Sequence, residues 1–361
     1  MISPIELRIW MQKNPELAFN EYKITQLLIN QLKNQDKIAL HTPTQTGLLV
    51  SYEPRVGSPF ILFRCDIDAL PNGTKESKTL DECKHLCGHD VHTSIMWGFL
   101  QSVLKSNVDK NILFLFQPGE ESGDGARRIL ESDILSDWEI EKCIALHVND
   151  AYPIGSIASN SNTLFATSQE IDIHFQGLQC HITLPEKGID ALRASIEFVS
   201  RFQKCERVEG TFLGIGKLES GSVRNSIPDK AQIFMTARAS DKIQLQKLIQ
   251  QIQNILASIE EEIGIKWSLK NGSHCPEVKN NNVLFEKYKR ALSKDFSFVD
   301  TSMVWAAEDF GYFSETIPSF MFWLGTKEKN QEVVGLHHKN FHPSNKVIPL
   351  GIKAFQTILN L

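Results

Sequence analysis

The stretch "SPFILFRCDIDALP", Ser58 to Pro71, is a run of apolar and β-branched residues that stops at two aspartates and a proline. Such a run predicts a strand buried on both faces whose carboxyl end emerges into a loop at Asp66 and Asp68. "KNILFLFQPGEESGDGARRILES" (Lys110–Ser132) repeats the plan: a strand, a Pro-Gly turn, the acidic neighbours Glu120 and Glu121, then a helix. "EKCIALHVND" (Glu141–Asp150) does so a third time and delivers His147. Strands alternating with helices imply an α/β fold with a mainly parallel sheet and helices on both faces. Ligands in such sheets sit beyond the carboxyl ends of the strands, so Asp66, Asp68, Glu120, Glu121 and His147 are the residues to read first. All of them can ligate a metal.

The character of the chain changes near residue 168. "SQEIDIHFQG" (Ser168–Gly177) alternates as a half-exposed antiparallel strand does; an amphipathic helix, two strands, a long helix and a last strand follow, as far as "IKWSLKNG" (Ile265–Gly272). This β-α-β-β-α-β order is the ferredoxin-like split unit. After about residue 276 the chain returns to a helix, "NNVLFEKYKRALSKD", and a buried strand, "SFMFWLG" (Ser319–Gly325), so the α+β unit reads as an insertion. The expected division is residues 1–167 with 276–361 as one domain and 168–275 as the other, which suits a chain of 361 residues.

A formal net charge of -5 with acids and bases interspersed leaves no basic face for nucleic acid and no polybasic segment for anionic lipid. The amino-terminal "MISPIELRIWMQKNPELAFNEYKITQLLINQL" has helical spacing without the positive and apolar regions of a signal peptide, and predicts a helix. No stretch approaches the ~20 apolar residues that cross a bilayer. The expectation is a soluble, cytoplasmic protein acting on a small molecule, with no nucleic-acid or membrane partner. Its seven cysteines, an odd number without framework spacing, read as reduced thiols.

"HLCGHDVHT" (His85–Thr93) gathers one thiol, three imidazoles and a carboxylate. Cys87 and His89, separated by a glycine that permits a tight bend, can point at one locus from a helix-opening turn. The side chains of Glu120 and Glu121 point in different directions, so one can ligate while the other stays free as the general base of a metal hydrolase. A solvated acidic loop is the plain alternative for this pair, and a satisfied core histidine is the plain alternative for His147. "GLHHKNFH" (Gly335–His342) offers His337, His338 and His342, of which one suffices. Cys83, His85, Cys87 and His89 alternate and suggest a rival structural zinc knuckle, although no second paired-cysteine motif follows.

"FRCDIDALP", "HLCGHDVHT", "LFLFQPGEESGDGA", "ALHV", "NSIPDKAQIFMTAR", "AEDFGYF", "FMFWLG" and "GLHH", in this order, resemble the dinuclear-metal N-acyl-amino-acid amidohydrolases. These aminoacylase- and carboxypeptidase-like enzymes include hippurate hydrolases, indole-acetyl-amino-acid hydrolases and N-acetyldiaminopimelate deacetylases; the carboxyl-terminal motifs are most similar to the last. The resemblance implies a zinc-peptidase-like catalytic domain with an inserted dimerisation and lid domain. It implies two divalent cations per subunit, Zn²⁺ or Mn²⁺ with Co²⁺ also allowed, held by Cys87, His89, Glu121, His147 and His337. Glu120 then becomes the general acid and base, and Asp66 supports the site by orienting a ligand histidine. His181 matches a histidine that each subunit of a homodimer lends to its partner to stabilise the oxyanion. Asn225 and Arg238 match positions that hold the substrate carboxylate. The implied reaction is hydrolysis of an N-acyl amino acid, first N-acetyl-L,L-diaminopimelate on the route to lysine, next another such amide. A dimeric metal-binding scaffold without catalysis is the reading from another class, and the retained Glu120 stands against it. The sequence departs from the family pattern at Met11, where a histidine is common. It does so again at the bulky Leu178, Gln179, Cys180 and Ile182 around His181, and at Gly119 and Ser122 flanking the glutamates.

Overall fold

A computed structural model describes residues 1–71 and 83–361. They fall into two units: Met1–Leu164, Val278–Val304 and Glu308–Leu361 form the first, and Phe165–Glu277 with Trp305–Ala307 the second. Trp305–Ala307, expected within the first domain, thus group with the second.

The amino-terminal segment is two helices, α1 (Pro4–Lys13) and α2 (Tyr22–Leu32), rather than the single one its spacing predicts. Ser3 and Glu6 cap α1 reciprocally, with Pro4 in the first turn where its missing N–H costs nothing. Asn14 precedes Pro15, which disfavours helical backbone, and Phe19 sits at φ +62°, so the helix breaks over residues 14–21. Met11 is a core residue, 1% exposed.

An eight-stranded sheet carries the first unit. Its strands are β1 (Ile38–His41), β2 (Leu48–Tyr52), β3 (Phe60–Asp66), β4 (Asn111–Gln117), β5 (Ile140–Pro153), β6 (Ser156–Ser159), β7 (Ser297–Asp300) and β8 (Ser319–Lys327), in the spatial order β1-β2-β4-β3-β5-β8-β6-β7. The central β4, β3, β5 and β8 are parallel, while β1, β2 and the β6–β8 contact are antiparallel. β3 and β4 are buried at every position, which requires cover on both faces and explains their largely apolar sequence, broken within β3 only by the ion-paired Arg64. α3 (His89–Lys105) packs here through Phe99, whose ring lies 4.7 Å from Phe63 and 5.5 Å from Phe114. Burial of each such ring contributes about 1.5–3 kcal/mol.

The second unit has four strands, Thr167–Gln176, Thr211–Ser220, Lys230–Ala239 and Lys266–Cys275, with helices Ala191–Lys204 and Lys242–Ile263. In space the strands run second, third, first, fourth, every neighbour antiparallel. Ile171, Ile173, Ile233 and Met235 share a core with Phe198 and Leu256 of the helices. Among the described residues no helix is long and apolar enough to cross a membrane.

Candidate metal centre

Residues just past the ends of β3 and β4, one within β5, one from a carboxyl-terminal loop and two at a helix start converge in the first unit. Gly88, at φ +86°, turns the chain into α3, and a Cβ there would run into the Val148 side chain. Cys87 and His89 flank this turn. His89 donates its Nδ1–H to the Asp68 carbonyl at 3.0 Å and lies 3.2 Å from Asp68 Oδ1, which leaves Nε2 for the site. His147, on β5, donates Nδ1–H to the Val148 carbonyl at 2.8 Å and presents Nε2. Glu120 and Glu121 occupy a short 3-10 turn after β4, where the Glu121 amide donates to Asp68 Oδ2 at 2.9 Å. His337 comes from a loop tied down by Asp150, which accepts N–H bonds from Val334 and Gly335 at 2.8 and 3.1 Å. The His337 amide donates to the Leu86 carbonyl at 3.0 Å, and its backbone is held at φ +65°, a conformation unusual for a residue with a Cβ.

Cys87 Sγ lies 3.4 Å from His147 Nε2 and 3.2 Å from His337 Nε2. His89 Nε2 faces Glu121 Oε1 at 3.7 Å, Glu120 Oε2 at 3.8 Å and Asp66 Oδ2 at 3.8 Å. His89 Nε2 and Glu121 Oε1 are both buried without a hydrogen bond, a condition that costs about 1–3 kcal/mol per group. Two donors that share a tetrahedral ion stand about 3.4–3.6 Å apart, so these separations suit cations between the side chains. Cys87 belongs to two groups of such donors, one with His89 and His147, the other with Glu121 and His337. The orphaned atoms and the mixed thiol, imidazole and carboxylate set fit divalent metals.

The field agrees. Burial disfavours a charged His89, yet Asp66, Asp68 and Glu121 push its pKa up to about 10. Burial, aided by His92 and His89, holds His147 well below the usual range and therefore neutral, as a ligand must be. Burial raises the Cys87 thiol, with Glu121 and Glu120 adding to it, so its thiolate needs a cation beside it. Glu121 rises to about 7, chiefly by burial. Burial, Glu308 and Glu121 raise Glu120 well above the carboxylate range.

Asp66 does not make the contact expected of it. Its Oδ1 accepts the Nδ1–H of His92 at 2.6 Å, and His92 Nε2 in turn accepts the Val148 N–H at 3.0 Å, so both nitrogens of that ring are engaged by protein. Asp68, two residues on, holds His89 instead, because the chain past the end of β3 carries its carboxylate under Nδ1. Behind Asp66 lies Arg64, fully buried, whose guanidinium reaches Asp66 at 3.1 Å, Glu308 at 3.1 Å and Asp309 at 2.7 Å. Asp68, Asp150, Arg64, Glu308 and Asp309 were not legible as a set, because the contacts between them join segments far apart in sequence. The aspartates at the ends of β3 and β5 were the available signal.

His338 and His342 are exposed and, among the described residues, join none of the possible metal groups, nor do Cys83 and His85 of the rival knuckle. His181, Asn225 and Arg238 lie in the second unit. His181 is exposed, with Nδ1 2.8 Å from the Thr183 hydroxyl, and the Asn225 carbonyl accepts the neighbouring Ile182 N–H at 3.0 Å. Arg238 is half-buried, with Nη1 shielded from water and without a hydrogen bond; burial lowers its pKa.

The chain belongs to peptidase family M20/M25/M40, whose model matches residues 62–361. It is a metal-dependent amidohydrolase of that family. Similar proteins include the N-acetyldiaminopimelate deacetylase of Exiguobacterium sibiricum, 31% identical with 96% of each chain covered. That of Shouchella clausii is 31% identical over 99% of this chain and 97% of its own. Among solved structures, a dinuclear metal binding M20 peptidase from Bacillus subtilis matches at TM-score 0.84 and 24% identity, covering 99% of this chain and 96% of that one. A protein of methicillin-resistant Staphylococcus aureus matches at TM-score 0.91 and 22% identity, with 99% and 96% covered. The mainly parallel sheet with its helices is thus the fold of this family.

Proposed function

We propose that the protein hydrolyses the amide bond of N-acetyl-L,L-diaminopimelate, giving L,L-diaminopimelate and acetate, and so serves lysine biosynthesis in the cytoplasm. The observation that carries the chemistry is the pair of buried, unbonded atoms, His89 Nε2 and Glu121 Oε1, beside Cys87 and next to Glu120. The names of the similar deacetylases support the substrate.

Cys87, His89, Glu121, His147 and His337 would hold two divalent cations; softness favours Zn²⁺, and Mn²⁺ or Co²⁺ are the alternatives. Bound there, the cations supply Lewis acidity that brings a water's pKa towards ~7 and positive charge that offsets the crowded carboxylates. Glu120 takes the proton of the attacking water and returns it to the amine nitrogen as the C–N bond breaks. Burial, with crowding by Glu308 and Glu121, raises its affinity for that proton, which suits the second half of the task. Asn225 and Arg238 hold the substrate carboxylate; the half-buried, unsatisfied Arg238 Nη1 supports this role. His181 of one subunit stabilises the oxyanion in a homodimer partner, a donor whose loss costs about 10²–10³ in rate.

Another N-acyl amino acid is the second reading, favoured by the exposed apolar Leu178 and Ile182 on either side of His181, which would present greasy surface to a larger acyl group. Acetyl, benzoyl and succinyl amino acids assayed side by side separate the two readings. Glu120→Gln is expected to keep its metals and lose about 10²–10⁴ in kcat; a metal-loaded variant of parental activity would rule Glu120 out.

A further inference from the structure

The break between α1 and α2 ties together the two loops that carry the acids of the site. The Glu16 carboxylate accepts the Lys23 and Ile24 amides at 3.0 and 2.9 Å and caps α2, while its carbonyl accepts the amide of Ala69, one residue beyond Asp68, at 2.8 Å. Glu21 reaches the other loop. It is fully buried; Oε1 accepts the amides of Phe19 at 2.9 Å and Gly119 at 2.8 Å, and Oε2 accepts the Thr46 hydroxyl at 2.7 Å. Among the described residues no lysine or arginine forms an ion pair with it. A carboxylate buried without a cation is costly, and the three donors it accepts from, the Phe19 and Gly119 amides and the Thr46 hydroxyl, offset that cost and would be left unpaired by an apolar residue.

What Glu21 holds is the residue before Glu120. Gly119 is fixed on three sides: its amide by Glu21, its carbonyl by the Ser122 hydroxyl at 2.7 Å and the Gly125 amide at 3.2 Å, and its Cα by the Phe19 ring. A Cβ at residue 119, already at φ +72°, would run into that ring, which the Arg128 guanidinium covers from 3.9 Å. Phe19 accepts a left-handed backbone to be there.

We propose that Glu21 is a positioning residue for the reaction: its carboxylate anchors the Gly119 amide and thereby aims Glu120. This rests on the reading of Glu120 as the group that moves the proton. Misplacing a reacting group by about 1 Å costs on the order of 10²-fold in rate.

The test uses the metal-loaded protein and acetate release from the N-acetyl amino acid it turns over best. Glu21→Ala is expected to lose about 10²-fold in kcat with KM and metal content unchanged. Glu21→Gln, whose amide oxygen accepts both N–H groups, is expected to recover most of the loss. Should Glu21→Ala fail to fold, Gly119→Ala displaces the same peptide and is expected to show the same split. A folded, metal-loaded Glu21→Ala or Gly119→Ala protein with kcat within about threefold of the parent overturns the proposal. So does a Glu21→Gln as impaired as Glu21→Ala, which would make charge rather than geometry decisive. Glu120→Gln assayed alongside separates the two claims. Parental activity there removes the base assignment and the positioning with it; an inactive Glu120→Gln beside a fully active Glu21→Ala removes the positioning alone.

Discussion

His89 and His92 stand one helical turn apart and part company by which nitrogen each commits. His89 gives Nδ1 to Asp68 and turns Nε2 to three carboxylate oxygens, as a ligand does; His92 spends both nitrogens, on Asp66 and on the Val148 amide, as a packed histidine does. The residue types of "HLCGHDVHT" were enough to mark a metal centre, but not which ring serves it, since the partners that decide come from other strands. Glu21 was missed for the same reason: in sequence it is one acid on an apparently continuous helix. Its charge carries a testable cost. Burial, with help from Asp68, raises its pKa from the ordinary 4.5 to about 7. The folded protein thus binds this proton more tightly than the unfolded chain, and stability falls as pH rises from 4.5 to 7 and is level above that, a loss on the order of 3 kcal/mol. In the metal-stripped protein, Glu21→Gln is expected to gain on the parent in Tm between pH 5 and pH 7 and to hold that lead to pH 8. A constant difference across this range would contradict the burial argument.

The helix start and the strand ends do the placing. Strand identity was legible because β3, β4 and the middle of β5 are covered on both faces and so are mainly apolar, Arg64 apart, until the chain emerges at Asp66, Gln117 and past His147. The break between α1 and α2 was not, because the apolar spacing runs on past Pro15, which together with the positive φ of Phe19 and the capping by Glu16 ends the helix register. The Cys87-Gly88-His89 turn depends on glycine twice, for its φ of +86° and for its closeness to Val148. Left-handed backbone costs a residue with a Cβ about 1–2 kcal/mol before any clash is counted. Gly88→Ala is therefore expected to lower Tm and weaken metal retention at least about tenfold, read by thermal melting and metal analysis after dialysis. Parental retention would show that the turn is not what aims Cys87 and His89.

At the scale of the molecule, the order of strands and helices was enough to read a parallel α/β unit and a split α+β unit, because alternation and the β-α-β-β-α-β sequence are local signals. The antiparallel edge of β1 and β2 and the grouping of Trp305–Ala307 were not, since they depend on contacts between distant segments. The proposed dimer has a physical candidate in the second unit. The edge strand Thr211–Ser220 carries Phe212 at 55% and Leu218 at 37% exposure, apolar surface on an unpaired strand edge. Sedimentation at micromolar concentration is expected to give twice 40.9 kDa, and Phe212→Glu to shift the protein towards monomer; a monomeric parent would remove both the dimer and the role of His181 in a partner's site. The central claim is that this chain uses metals to hydrolyse an N-acyl amino acid. Its most direct measurement is acetate release from N-acetyl-L,L-diaminopimelate by the metal-stripped protein, with Zn²⁺, Mn²⁺ or Co²⁺ restored one at a time. The account predicts no release from the stripped protein and turnover on restoring at least one of them. Equal release with and without metal, or none with any metal on this substrate or on the acetyl, benzoyl and succinyl amino acids, would contradict it.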